Sequence, residues 1–179
     1  MSLPYWIFPL IALAWLTGCG SEEVKKEPPP PPPPPTRVEL IIKADPDINP
    51  DAQNRASPLL LRVYELKDLG SFNAADFFAL YGKDRETLGG DLVRKQEFTL
   101  VPNDTKNLGF DVDASAKFLA VFAAFRDLEA ARWRASTDIP PAQTTVIAIQ
   151  ASGTQITLST AQKPARQNPG GVENAEGKQ

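Results

Sequence analysis

The segment RVELIIK, residues 37–43, places Val38, Leu40 and Ile42 at every second position of the chain. An apolar residue at every second position predicts a β-strand with one buried face. The segment LLLRVYEL, residues 59–66, has the same spacing in its first half and predicts a second strand. The residues between the two segments are rich in proline, aspartate and asparagine, which indicates a loop.

Further along the chain, six segments predict strands on similar grounds: residues 93–100, 108–112, 118–125, 132–139, 144–150 and 154–158. The segment FLAVFAAF, residues 118–125, is apolar almost throughout, so we expect a central strand buried on both faces. Pro102 to Asp104 predicts a hairpin turn between the third and fourth strands. About eight short strands at regular spacing indicate an all-β sandwich, and a closed barrel is the alternative with the same local pattern.

A short helical insertion is predicted between the second and third strands. Apolar residues recur there near helical spacing, at Phe72, Phe77, Phe78, Leu80 and Tyr81. Ser71 or Asn73 is expected to cap this helix over residues 71–81, and a second helical turn is expected at 85–88 before two glycines. We expect the Phe77–Phe78 pair to close the core rather than form an exposed partner site, because helix aromatics usually pack inward.

The N-terminus resembles a bacterial lipoprotein signal. Residues 7–16, IFPLIALAWL, form an apolar stretch too short to span a bilayer, and it ends in Leu16-Thr17-Gly18-Cys19. This pattern predicts a signal peptide over residues 1–18, cleavage before Cys19 and acylation of its thiol. The residue after the cysteine is Gly20 and not the aspartate that would resemble an inner-membrane retention signal, which favours the outer membrane by analogy with enteric bacteria. The alternative is a buried helix with a core cysteine.

The remaining organisation follows from composition. Residues 19–36 are expected to be the acylated cysteine and a linker, whose run Pro28–Pro35 forms a polyproline II spacer of roughly 25 Å. Docking of this run to an SH3-like groove is the less favoured alternative. The β-sandwich domain is predicted over residues 37–160, and the polar residues 161–179 are typical of a disordered tail.

Composition also excludes several kinds of chemistry. The 179 residues contain no histidine and one cysteine, which excludes a Ser-His-Asp triad, histidine metal ligands and an internal disulfide. The formal charge of −3 gives no reason to expect a nucleic-acid partner. We therefore expect no enzymatic activity, no cofactor and no metal.

Several segments, taken in order, resemble the TssJ family of type VI secretion lipoproteins. They are Asn49-Pro50-Asp51, residues 57–66 (SPLLLRVYEL), 72–81 (FNAADFFALY), 98–102 (FTLVP), 118–127 (FLAVFAAFRD) and Trp133-Arg134. The similarity extends from about Arg37 to Leu158. It implies a transthyretin-like β-sandwich with an added helix, on an outer-membrane lipoprotein facing the periplasm.

The resemblance also implies a partner. Members of the family bind the periplasmic C-terminal region of TssM, an inner-membrane protein, within the complex that anchors the secretion machine. The contact is placed in the loop between the first two strands, here Ala44 to Ser57. The candidate partner-binding residues in this loop are Asp45, Asp47, Ile48, Asn49, Pro50, Asp51, Gln53 and Asn54.

The residues of this loop support the same prediction independently. The loop is longer than a hairpin needs, and long ordered loops are often functional. Its prolines restrict the backbone, so docking costs less entropy, and its aspartates suit a positively charged partner surface. Calcium binding by the aspartates is the less favoured alternative, because the spacing is not that of an EF-hand and solvated turn residues are commoner.

Two other functions stay open from the sequence alone. A periplasmic lipoprotein module that binds cell-wall glycan or a small ligand would show a cleft lined by exposed aromatic side chains. A carboxylate-based hydrolase is the more distant alternative, and it would need two neighbouring carboxyl groups with separated pKa values.

Overall fold

In a computed structural model of this chain, the structure describes residues 32–162. The chain divides into two units, Met1–Pro32 and Pro33–Gln179, and the fold below is that of the second. The predicted signal peptide at 1–18, the lipidation site Cys19, most of the linker and the tail beyond 162 lie outside the described residues. None of the helices within 32–162 is long and apolar enough to cross a membrane.

Eight strands form two four-stranded sheets packed as a sandwich. The strands are β1 Arg37–Ala44, β2 Leu59–Leu66, β3 Leu92–Leu100, β4 Thr105–Asp111, β5 Phe118–Ala123, β6 Arg134–Asp138, β7 Thr144–Ser152 and β8 Gln155–Gln162. Sheet A has the order β4-β1-β7-β8 and sheet B the order β3-β2-β5-β6. Only the β1–β7 pair of these two sheets is parallel. The predicted β-sandwich is confirmed.

The turn after β3 is not a hairpin, so that prediction is wrong. Leu100 of β3 pairs with Leu59 of β2, whereas Leu108 of β4 pairs with Leu40 of β1. The turn therefore carries the chain from sheet B to sheet A. Asn103, with φ of 64°, supplies the left-handed turn residue. A turn signal indicates that the chain reverses, but it does not say which strands then pair.

The core lies between the two sheets and is formed by alternate residues of the inner strands. It includes Val38, Leu40, Ile42, Leu59, Leu61, Val63, Leu119, Val121, Ile147, Ile149 and Ala151. Each fully buried aliphatic side chain of this kind contributes roughly 1.5–3 kcal/mol relative to an exposed one. The alternation read from residues 37–43 and 59–66 therefore corresponds to the inward faces of β1 and β2.

The outer face of sheet B is covered by the helical insertion. It consists of α1 Gly70–Ala74, α2 Phe77–Leu88 and a 3₁₀ turn, Gly89–Asp91. A second apolar cluster lies beneath it and contains Tyr64, Leu66, Phe72, Leu80, Leu88, Ala120 and Phe122. Strand β5 thus contacts the main core with one face and the insertion with the other. This explains why nearly all its residues are apolar.

The insertion differs in detail from the prediction. It breaks between α1 and α2, and the side chain of Asp76, rather than Ser71 or Asn73, caps α2 by accepting the Ala79 N–H at 2.8 Å. Helix α2 continues to Leu88 across a non-helical residue, Lys83. Phe78 is 71% exposed, so it does not close the core as expected.

Because of the directions of the strands, four connections lie at the same end of the sandwich, which we call the loop end. They are the β1–β2 loop (45–58), the β3–β4 turn (101–104), the β5–β6 loop (124–133) and the β7–β8 turn (153–154). The chain enters β1 from Thr36 at the opposite end. Strand β1 separates Thr36 from the β1–β2 loop by roughly 26 Å, at about 3.3 Å per residue.

Candidate functional site

The β1–β2 loop is anchored in the main core by Ile48. This side chain is fully buried and belongs to the cluster between the sheets. Its carbonyl accepts the N–H of Ser57 at 3.0 Å, which joins the two sides of the loop. An apolar residue at the centre of a polar loop therefore holds the loop to the sandwich.

Asn49 is a second internal anchor. It is 2% exposed, and its Nδ2 donates to the carbonyl of Pro58 at 2.7 Å. Its Oδ1 accepts the N–H of Arg126 at 2.9 Å, and its own N–H donates to the carbonyl of Gly153 at 2.8 Å. Asn49 thus joins the β1–β2 loop, the β5–β6 loop and the β7–β8 turn at the loop end. Its φ of 49° suits asparagine better than most other residues.

The exposed tip of the loop is a compact turn around Asp51. Its Oδ1 accepts the N–H groups of Gln53 and Arg55, each at 2.9 Å, and its Oδ2 lies 2.8 Å from the Arg55 guanidinium. The backbone and guanidinium of Arg55 lower the pKa of Asp51. The negative charge of Asp51 is therefore largely balanced within the loop.

The two other aspartates bind the neighbouring β7–β8 hairpin. Asp45 accepts a hydrogen bond from the side chain of Gln150, and Asp47 accepts the N–H of Gly153 at 3.2 Å. Both donors are distant in sequence, so these two aspartates are not the solvated turn residues that the sequence predicted, whereas Asp51 does make local turn contacts. Within residues 32–162, no group of three His, Cys, Asp or Glu side chains could hold a metal ion.

The eight residues predicted to contact a partner fall into three classes. Ile48 and Asn49 are buried and hold the loop in shape. Three are half-buried, namely Asp45, Pro50 and Asp51. The other three, Asp47, Gln53 and Asn54, are exposed. Arg55 is also exposed, and sequence reasoning missed it, although its spacing of four residues from Asp51 suggests an ion pair. The accessible loop surface is therefore polar and of mixed charge.

Sequence reasoning also missed Arg62, which fixes the helical insertion. Its guanidinium donates to the carbonyls of Leu80 and Tyr81 at 2.8 and 2.9 Å, just before the irregular residue Lys83. It also pairs with Glu97 at 2.8 Å. An arginine on the outer face of a strand reads as solvent-exposed, so only the structure reveals this role.

A buried ionic group lies beside this contact. Asp84 is 3.3 Å from the Arg62 guanidinium, 2.8 Å from the Lys95 ammonium and 3.1 Å from the Tyr64 hydroxyl. Burial alone would raise the pKa of Asp84, but Lys95, Arg62 and Tyr64 together lower it. Two positive partners therefore keep Asp84 ionised, which is a structural role rather than that of a general acid.

Arg134 holds the other part of the insertion. It donates to the carbonyls of Phe72 and Ala75 at 3.1 and 2.9 Å, where α1 ends. The neighbouring Trp133 packs edge-on against Phe77, with ring centres 5.5 Å apart. Two arginines from sheet B thus bind backbone carbonyls of the insertion and fix its position.

A shallow open depression lies on β1 and β4 of sheet A. Its lining residues are Arg37, Glu39, Leu40, Ile41, Asn107, Leu108 and Gly109. This set contains no aromatic side chain, unlike the cleft that a glycan-binding module would show. The depression therefore gives no support to the glycan alternative.

The fold and the loop end define a class of protein: a β-sandwich with a helical insertion on one face and a rigid, internally anchored loop at one end. A family model described as "Type VI secretion lipoprotein, VasD, EvfM, TssJ, VC_A0113" matches residues 36–156. The chain belongs to this TssJ family of type VI secretion lipoproteins. The family is a structural part of the secretion system, so the chain is not an enzyme.

Solved structures agree with this assignment. The type VI lipoprotein TssJ1 from Pseudomonas aeruginosa is 40% identical, with a TM-score of 0.71 over 73% of this chain and 100% of that chain. The Serratia marcescens Lip protein, a membrane-bound component of the type VI system, is 27% identical, with a TM-score of 0.64 over 69% and 96%. No match is found among curated protein sequences.

A third similar chain comes from a structure described as that of the TssM C-terminal domain from EAEC. It is 29% identical, with a TM-score of 0.58 over 69% of this chain and 97% of that chain.

Proposed function

We propose that this chain is an assembly component of a type VI secretion membrane complex, anchored in the outer membrane through acyl chains on Cys19. Its β1–β2 loop binds the periplasmic C-terminal region of a TssM-type inner-membrane protein. The observation that carries this proposal is the placement of a rigid loop at the end of the sandwich opposite Thr36.

The direction of the chain supports this arrangement. The linker joins the domain at Thr36, and β1 then runs the full height of the sandwich before the β1–β2 loop begins. The β1–β2 loop therefore lies at the end of the domain opposite Thr36, the residue at which the proposed tether would join it. That end is the part of the domain best placed to meet a protein that rises from the inner membrane.

The internal structure of the loop supports the same role. Ile48 and Asn49 fix its base, and Asp51 closes its tip, so few residues need to be ordered when a partner binds. A pre-organised loop loses less conformational entropy on docking than a mobile one. The exposed residues Asp47, Gln53 and Asn54 offer polar contacts suited to the rim of an interface.

Two relatives support the choice of partner. One similar chain belongs to a structure described as a type VI membrane complex, at 31% identity over 98% of that chain. Another comes from a structure described by its TssM C-terminal domain. Because this chain shares their family and fold, we assign it the same class of partner.

A titration tests the role of the loop. We compare the wild-type chain with an Asp47→Arg/Gln53→Arg variant, which changes two exposed residues and leaves Ile48 and Asn49 in place. The matched control is Asp138→Arg/Ser159→Arg, which makes the same change in net charge at exposed positions outside the loop. We measure the affinity of each solubilised full-length chain for the periplasmic region of a TssM-type protein from the same organism.

We expect the loop variant to bind at least about tenfold more weakly, which is roughly 1.4 kcal/mol. The control should bind as the wild type does. Equal affinities for all three chains would remove the loop from the interface, and absence of binding by the wild type would remove the proposed partner.

A further inference from the structure

The helical insertion exposes two large aromatic side chains. Phe78 is 71% exposed and Tyr81 is 49% exposed, and with Val101 at 50% they are the exposed large hydrophobic side chains of residues 32–162. Together with the half-buried Phe77, they form a surface that we call the aromatic patch: Phe77, Phe78 and Tyr81. Exposed clusters of aromatic residues often mark protein interaction sites.

Phe77 and Tyr81 of the aromatic patch are held in place by their neighbours. The Phe77 ring stacks on Tyr81 with ring centres 5.8 Å apart and planes 10° apart, and it packs on Phe122 at 5.0 Å. Phe78 meets Phe77 edge-on at 5.4 Å. Arg62 fixes the backbone at Tyr81 through its carbonyl. Rings held in one orientation lose little entropy when a partner covers them.

The β1–β2 loop contains no aromatic side chain that could anchor an interface, and its arginine, Arg55, is paired with Asp51. Its exposed residues at 52–55 are one alanine, two amides and the ion-paired Arg55. The binding energy of protein interfaces is concentrated in buried aromatic and arginine side chains, with polar residues at the rim. A partner that contacted the loop alone would therefore meet mostly rim-type residues.

The aromatic patch lies beside the loop end. Phe77 packs on Trp133, the last residue of the β5–β6 loop, and Arg126 in the same loop donates its N–H to Asn49 of the β1–β2 loop. The β5–β6 loop therefore contacts both the patch and the base of the proposed binding loop. Val101 lies on the β3–β4 turn at the same end. A single partner seated on the loop end can reach both surfaces.

We propose that the aromatic patch is the apolar anchor of the interface whose polar rim is the β1–β2 loop. The partner that covers the aromatic patch is the periplasmic region of the TssM-type protein, which presents an apolar depression to the rings of Phe78 and Tyr81. This inference rests on the proposed function and extends it from a loop contact to an interface of two parts.

The test uses two single substitutions, Phe78→Ala and Tyr81→Ala, in the solubilised full-length chain. Phe78 makes its ring contact only with Phe77 among the described aromatic pairs, so its truncation leaves the fold intact. The matched control is Ser159→Ala, at an exposed position on β8 in the other sheet. Thermal melting of each variant checks that the domain is folded, and the titrant is the partner's periplasmic region.

We expect Phe78→Ala and Tyr81→Ala each to weaken binding at least about tenfold, while Ser159→Ala binds as the wild type does. Wild-type affinity in a folded Phe78→Ala variant would overturn the anchor and leave the loop contact of the proposed function untouched. If the wild-type chain itself did not bind, both the proposed function and this inference would fall.

Discussion

Replacement of Asn49 by alanine should destabilise the domain far more than its position in a polar loop suggests. The change removes the hydrogen bonds to the Pro58 carbonyl and from the Arg126 N–H, which are 2.7 and 2.9 Å long. Leaving such partners unpaired costs about 1 kcal/mol or more each, and alanine at a positive φ costs about 1 kcal/mol further. The expected loss in the free energy of unfolding is about 3 kcal/mol.

Asn54→Ala is a matched control for the backbone. Asn54 has nearly the same φ, 58° against 49°, but its side chain is exposed at the tip of the loop. Its replacement should cost about 1 kcal/mol, from backbone strain alone. The difference of about 2 kcal/mol between the two variants isolates the hydrogen bonds of the Asn49 side chain.

Urea denaturation measures both values. The midpoint of unfolding should fall for Asn49→Ala while the slope stays constant, because the surface exposed on unfolding is unchanged. An equal and small loss of stability in the two variants would refute the reasoning, since it would mean that Asn49 does not anchor the loop.

Three further outcomes follow from the structure. Arg62→Met should lower the free energy of unfolding by about 2–4 kcal/mol and speed amide hydrogen exchange at residues 77–81, because it leaves Asp84 with one fewer positive partner. The pKa of Asp84 is lowered in the folded chain, so its ionised carboxylate stabilises the fold at neutral pH and this stabilisation is lost as the pH falls through that pKa. Acid denaturation below about pH 4 should therefore depend less on pH in Asp84→Asn than in the wild type. Cys19→Ser should lose acyl labelling and move from the membrane to the soluble periplasmic fraction, and membrane retention would contradict acylation at this residue.

The strands were predictable because their pattern depends on a simple physical requirement. One face of each sheet must be buried, so alternate positions of β1 are apolar and read directly from the sequence. Strand β5 could also be recognised, since only burial on both faces accounts for a run such as FLAVFA. The partner strands of β3 and of β4 could not be predicted, because the turn between them has the same residues as a hairpin would have.

The residues that shape the candidate site were harder to predict. Asn49 reads as an ordinary turn residue, and its burial depends on loops distant in sequence that meet it only in the fold. Arg62 and Arg134 occupy positions that face away from the core, so their contacts with the insertion leave no local signal. Phe78 follows Phe77 directly, and helical spacing did not decide which of the two rings is buried.

The most direct test of the proposed interface is photo-crosslinking in intact cells. A photoreactive amino acid at position 53, on the exposed tip of the β1–β2 loop, should form a covalent adduct with the TssM-type inner-membrane protein. The same amino acid at position 159, on β8, should not. An adduct with that protein from position 159 but none from position 53 would contradict the account, because the partner would then contact a surface other than the loop end.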